Sequence, residues 1–158
     1  MTVAALVLGA AGCQSSSGGA GSASGSGTGS EFREEPVRST GSDVGAADVL
    51  QPVYFDFDSY GIRRDAKSVL KQNAGAIKEN DGWGRVTIEG HCDERGSEEY
   101  NLALGERRAN SVRVYLVDLG VPSSRLRTVS FGEAKPAVMG HDESAWRYNR
   151  RSNFAASR

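Results

Sequence analysis

Gly90-His91-Cys92-Asp93-Glu94-Arg95-Gly96, followed after four residues by Asn101-Leu102-Ala103-Leu104-Gly105-Glu106-Arg107-Arg108-Ala109, is the stretch on which the fold turns. Just upstream, Val86, Ile88 and Gly90 alternate with Thr87 and Glu89, the pattern of a half-buried strand running through about His91. Ser97 stands where a side-chain oxygen caps a helix, and Gly120-Val121-Pro122 stops that helix after Leu119. At 100° per residue, Asn101, Leu104, Arg108, Val112, Tyr115, Leu116 and Leu119 share one face. Arg108 therefore sits in an apolar stripe, with Leu104 and Val112 four residues to either side, while Arg107 points to the polar side. A guanidinium held against a core keeps its proton and calls for an anion beside it. Asp93, leaving the strand, could supply that anion as a structural ion pair. Alternatively Asp93 and Arg108 bracket a zwitterionic ligand, Asp93 facing its ammonium and Arg108 its carboxylate. The spacing leaves both readings open.

Outward from this unit the pattern continues in both directions. Val53, Phe55 and Phe57 alternate with Tyr54, Asp56 and Asp58, a first half-buried strand. Ile62, Ala66, Val69, Leu70, Asn73, Ala74 and Ile77 follow helical spacing until Asn80-Asp81-Gly82. Downstream, Leu126 to Phe131 reads as a strand, Ser144 to Tyr148 as a short helical turn, and Ser152 to Ala156 as a last, poorly alternating strand. This order, βαβαβ(α)β in about 105 residues, predicts an α+β two-layer sandwich with helices packed on one face of a small mixed sheet. Both strand–helix–strand units are expected to cross over right-handedly. The loop Cys92 to Ser97 then meets the positive end of the long helix, a setting that favours an anionic group.

The chain has 158 residues and a formal net charge of −1, consistent with one folded domain. That balance argues against nucleic acid as a partner, since phosphate binding needs a basic excess. No apolar run approaches the roughly 18 residues that span a bilayer as a helix. Residues 1–12 nevertheless read as a lipoprotein signal peptide, incomplete at its N-terminal end, because Val3 to Ala11 is apolar and small residues precede Cys13. Cys13 is thus the expected lipidation site, with no other cofactor expected. Each buried methylene of such a lipid contributes about 0.8 kcal/mol, and two or more chains hold where one binds only reversibly. With Cys13 acylated, Cys92 has no partner for a disulfide. Residues 13–51 form a tether, almost pure Gly and Ser from Gln14 to Ser30, and the folded domain is expected over 52–158. Such a tether has a root-mean-square span of about 35 Å and an extended reach on the order of 130 Å.

Catalysis finds little support. His91 and Cys92 are adjacent on a strand and so point to opposite faces, which prevents the imidazole from activating the thiol. No nucleophile elbow or phosphate-binding glycine loop occurs. His91, Cys92 and His141 lack metal-ligand spacing. The acidic cluster Asp93, Glu94, Glu98 and Glu99 fits a solvated loop and a favourable first helical turn rather than a catalytic group.

Several blocks carry a resemblance. Tyr54-Phe55-Asp56-Phe57-Asp58-Ser59, Gly90 to Gly96, Tyr100-Asn101, Leu104 to Ala109, Phe131-Gly132-Glu133-Ala134-Lys135-Pro136 and Asn149-Arg150-Arg151 occur in the order seen in the OmpA-like domain family. Over roughly residues 52 to 151 the chain resembles, more narrowly, the peptidoglycan-associated lipoproteins of the Tol–Pal system. The resemblance implies a non-enzymatic domain that binds the diaminopimelate-containing stem peptide of peptidoglycan. By that resemblance Asp93 and Arg108 hold the zwitterionic end of diaminopimelate, with Arg108 gripping a carboxylate through two parallel bonds. Asn101 and Asp58 line the same pocket. The resemblance further implies the Tol component TolB as a protein partner, engaged through the exposed loop Gly132 to Asp142. It also implies outer-membrane placement at the periplasmic face, since Gln14 rather than Asp follows the lipid-bearing cysteine. Cys92 departs from the family, which has Thr or Ala there.

Overall fold

The computed structural model describes residues 49–157; Cys13, the signal-like segment 1–12 and the tether up to residue 48 lie outside the described residues. The elements are β1 (Val53–Tyr54), α1 (Ala66–Glu79), β2 (Val86–His91), α2 (Glu98–Asp118), β3 (Leu126–Gly132), α3 (Glu143–Asn149) and β4 (Arg151–Ala156), with a 3₁₀ turn over Ser123–Arg125. The sheet is mixed, in the order β1-β4-β2-β3. β2 and β3 run parallel, and β4 is antiparallel to both of its neighbours.

The register explains which face is buried. Val86, Ile88 and Gly90 of β2 stand opposite Ala156, Phe154 and Ser152 of β4. These six positions share the face turned toward the helices, and the apolar ones close over Leu70, Ile77, Val112 and Leu116. Close approach of α2 to β2 depends on two glycines. A Cβ at Gly90 would lie 1.9 Å from the carbonyl oxygen of Gly105, and one at Gly105 would lie 2.3 Å from Ser130 Oγ. The helix can therefore lie directly on the strand, which brings Arg108 beneath the loop that follows β2.

Both ends of α2 form as its sequence predicts. Ser97 Oγ accepts the Tyr100 N–H at 3.2 Å. At the other end Gly120 takes φ +86°, while Gly120 N–H reaches Val117 O and Val121 N–H reaches Leu116 O. That pair of bonds is a Schellman closure, and the left-handed residue it requires is a glycine.

Three expectations are corrected. The first strand stops at Tyr54, and only the Phe55 N–H to Arg150 O bond at 2.9 Å continues it. Phe57, expected in the core beside Val53 and Phe55, is 57% exposed. The cause is Arg108, which draws the carbonyls of Asp56 and Ser59 inward and bends the chain off the sheet edge, with Asp58 at φ +51°. α1 begins only at Ala66, and Ile62 packs against the core from outside the helix. Finally, Leu50, assigned to the tether, is 4% exposed, and Gln51 exchanges two hydrogen bonds with the Asn73 side chain. The last strand, in contrast, is fully formed and lies between β1 and β2.

Candidate functional site

The loop from Cys92 to Gly96, the turn Phe57–Asp58 and the first three turns of α2 enclose a pocket of about 240 Å³. Asp58, Asp93, Asn101 and Arg108, the four residues singled out in the sequence, all line it. Phe57, Cys92, Arg95 and Tyr100 complete much of the wall.

Arg108 is 1% exposed. Its Nε–H donates to Ser59 O at 2.8 Å, and Nη1 donates to His91 O at 2.8 Å and Cys92 Sγ at 3.4 Å. Nη2 donates to Asp56 O at 3.2 Å. A guanidinium has five N–H donors, so one Nη2–H remains. None of these acceptors is an anion, and among the described residues no carboxylate lies within 4.0 Å of Arg108. Burial pulls its pKa below the ordinary arginine value, opposed by Cys92 and Asp93. The group nonetheless keeps its proton, since arginine's ordinary value is far above neutrality. Among the described residues the expected anion beside Arg108 is therefore missing, and backbone carbonyls supply the acceptors instead. A two-bond grip on a carboxylate is likewise unavailable unless the Asp56 carbonyl is released.

Asp93 is not the partner of Arg108. Its Oδ1 accepts the Arg95 backbone N–H at 3.2 Å and Nε at 3.3 Å. Its Oδ2 accepts Arg95 Nη2 at 2.7 Å and Arg150 Nη1 at 3.1 Å. Burial pushes the Asp93 carboxyl upward, but the hydrogen bonds from Arg95 and Arg150 outweigh it and hold it below the usual range. Arg150 is also tied to Glu143 and to Phe55 O, so it is a fixed strut of the fold.

Asn101 lies buried two turns before Arg108 on the same face of α2 and donates from Nδ2 to Glu133 and to Arg95 O. Asp58 accepts the Tyr100 hydroxyl across the pocket mouth. Cys92 Sγ donates to Asn101 O at 3.2 Å, and burial pushes its thiol up to about 11. The thiol is protonated at neutral pH and is not a nucleophile. His91 turns the other way, stacking on Phe131 with ring centroids 5.5 Å apart.

The sequence did not single out Arg95, Trp146, Glu143 or Arg150, nor Phe57 as a rim residue. The Arg95 guanidinium lies between the rings of Phe57 and Trp146, 3.9 and 4.0 Å from their centroids. Trp146 is held by its Nε1–H to Glu94, which also pairs with His141. Arg95 in the Gly90–Gly96 block and Arg150 in the Asn149–Arg151 block stand out in the sequence only as parts of motifs, and Trp146 and Glu143 carry no such signal.

A sequence model of the OmpA family matches residues 54–150. A peptidoglycan-associated lipoprotein of Pseudomonas aeruginosa is 40% identical over 148 residues, covering 90% of this chain and 86% of its own length. One of Rhizobium meliloti is 50% identical over 100 residues, 63% of this chain and 56% of that protein, so the chain matches little more than half of that relative. The crystal structure of the Burkholderia pseudomallei peptidoglycan-associated lipoprotein superposes with a TM-score of 0.65 at 43% identity, covering 68% of this chain and 90% of that one. The chain belongs to the OmpA family, and within it to the peptidoglycan-associated lipoproteins. That membership is of a structural kind and not of an enzyme. Among the described residues no helix is long and apolar enough to cross a membrane.

Proposed function

We propose that the chain is an outer-membrane lipoprotein, anchored through lipid on Cys13, whose domain binds the diaminopimelate-containing stem peptide of peptidoglycan without covalent chemistry. The observation that carries this reading is Arg108: a buried charge with a spare Nη2–H, no carboxylate partner among the described residues, and a place on the pocket wall. A ligand carboxylate satisfies that charge, and hydrogen bonds to charged groups contribute about 1.5–3 kcal/mol each. Asp93, at the same pocket, takes the ammonium of the same amino-acid headgroup. Asn101 holds the loop to the helix by its bond to Arg95 O, and Asp58 with Tyr100 forms the rim. A polypeptide tether of the reach estimated above lets a membrane-fixed lipid serve a wall that lies away from the bilayer.

Cosedimentation of the variants with purified sacculi tests the assignment. Arg108→Ala and Asp93→Ala, each shown to be folded, should bind at least about tenfold more weakly, a decade corresponding to 1.4 kcal/mol. Wild-type binding by the folded variants refutes it. Within the Tol–Pal system, the loop from Gly132 to Asp142 is the proposed contact for TolB, since Met139 on it is 85% exposed and Val138 39%. Loss of TolB capture by Met139→Asp, with sacculus binding intact, is the expected result there.

A further inference from the structure

Resting on the pocket assignment above, we propose that Arg95 is a placeholder for the ligand's ammonium group, holding Asp93 until the ligand exchanges with it. As the chain folds, both oxygens of Asp93 are already occupied, and they are occupied by two unequal guanidiniums. Arg150 has a side chain 7% exposed, is tied to Phe55 O and Glu143, and does not line the pocket. Arg95 has a side chain 31% exposed, lines the pocket and belongs to the loop itself. An ammonium approaching Asp93 from the pocket therefore meets Arg95 first.

The surroundings give Arg95 somewhere to go. Its charge is held by two aromatic faces, Phe57 and Trp146, an attraction that does not depend on the carboxylate. On the far side Glu143 Oε2 lies 3.7 Å from Arg95 Nη2, close enough to become its principal partner after a small slide within the stack. Trp146 is fixed for this purpose by Glu94, itself held by His141. Exchange keeps the charge around Asp93 constant, whereas adding an ammonium beside both guanidiniums would place three cations on one anion. The device selects for ligands that carry both groups: the carboxylate is drawn to Arg108, and the neighbouring amine then displaces Arg95. A carboxylate without the amine leaves Arg95 where it is.

The test uses the full chain, titrated calorimetrically with a diaminopimelate stem peptide and with the same peptide lacking the distal amine. Arg95→Gln should tighten binding of the amine-bearing peptide by at least about threefold and leave the deaminated peptide unchanged. Arg95→Lys, which keeps a cation beside Asp93, should bind the amine-bearing peptide less tightly than Arg95→Gln. In the wild-type chain the Arg95 Nε–H resonance should shift and lose exchange protection on titration with the amine-bearing peptide only. Weaker binding by Arg95→Gln, equal gains for both peptides, or an unmoved Nε–H resonance overturns the proposal. An Arg108→Ala arm separates the two failures: wild-type affinity there refutes the pocket assignment itself, while loss there without a gain in Arg95→Gln refutes only the placeholder.

Discussion

Replacing Arg108 by Lys keeps the charge and tests whether the geometry of the guanidinium is what matters. Arg108 holds three backbone carbonyls, those of Ser59, His91 and Asp56, at 2.8, 2.8 and 3.2 Å, from positions that span the whole fork. A lysine ammonium is a single point with three donors on a differently shaped stem, so it cannot reach all three carbonyls at once. With two of them left unpaired at about 1–3 kcal/mol each, the variant should lose about 2–6 kcal/mol of stability. A domain of this size is stable by about 5–15 kcal/mol, so the variant stays mostly folded at room temperature unless the wild type lies at the bottom of that range, and the urea melt reads which case holds. The loop from Asp56 to Ser59 and the end of β2 should loosen together, because Arg108 is their common tie. Urea unfolding measures the first effect, and sacculus cosedimentation of the folded variant should show binding reduced about tenfold or more. An Arg108→Lys variant with wild-type stability and wild-type binding refutes the reasoning, since it would mean that a buried cation alone suffices.

Three further outcomes follow from named contacts. Gly90→Ala should destabilise by about 3 kcal/mol, the upper end of the usual overpacking cost, because its Cβ meets the Gly105 carbonyl at 1.9 Å, whereas Gly105→Ala meets the Ser130 hydroxyl at 2.3 Å and backbone only from 3.0 Å and should cost less; paired urea melts rank them. Cys92 should react with iodoacetamide at pH 8 only on unfolding, since burial raises its thiol to about 11. Asp93 has a folded pKa below its unfolded value of about 3.9, so its contribution is present above that pH and is lost as pH falls through the folded value. The stability gap between wild type and Asp93→Asn should therefore narrow on going from pH 7 to pH 2, as followed by chemical unfolding.

Much of the site was legible because α2 is a single regular element. The 3.6-residue period puts Asn101, Leu104, Arg108 and Val112 on one face, and all four are buried. The partner of Arg108 was not legible, since carbonyl acceptors leave no trace in side-chain chemistry. Phe57 misled for a related reason: the alternation of Val53, Phe55 and Phe57 is that of a longer strand, but the pull of Arg108 on Asp56 and Ser59 ends the strand early. Arg95 and Trp146 meet only because α3 folds back over the loop after β2, a tertiary fact that local pattern does not carry. β4 alternated weakly because its inward residues include Ser152 and Ala156, small side chains that suit a strand lying between two others under closely packed helices.

A crystal structure of the chain bound to a diaminopimelate stem peptide addresses the central claim most directly. A headgroup carboxylate oxygen within hydrogen-bond distance of Arg108 Nη2, with the adjoining amine on Asp93, is the predicted result. The peptide seated elsewhere, with Arg108 still holding only its backbone carbonyls and Cys92, would contradict the account.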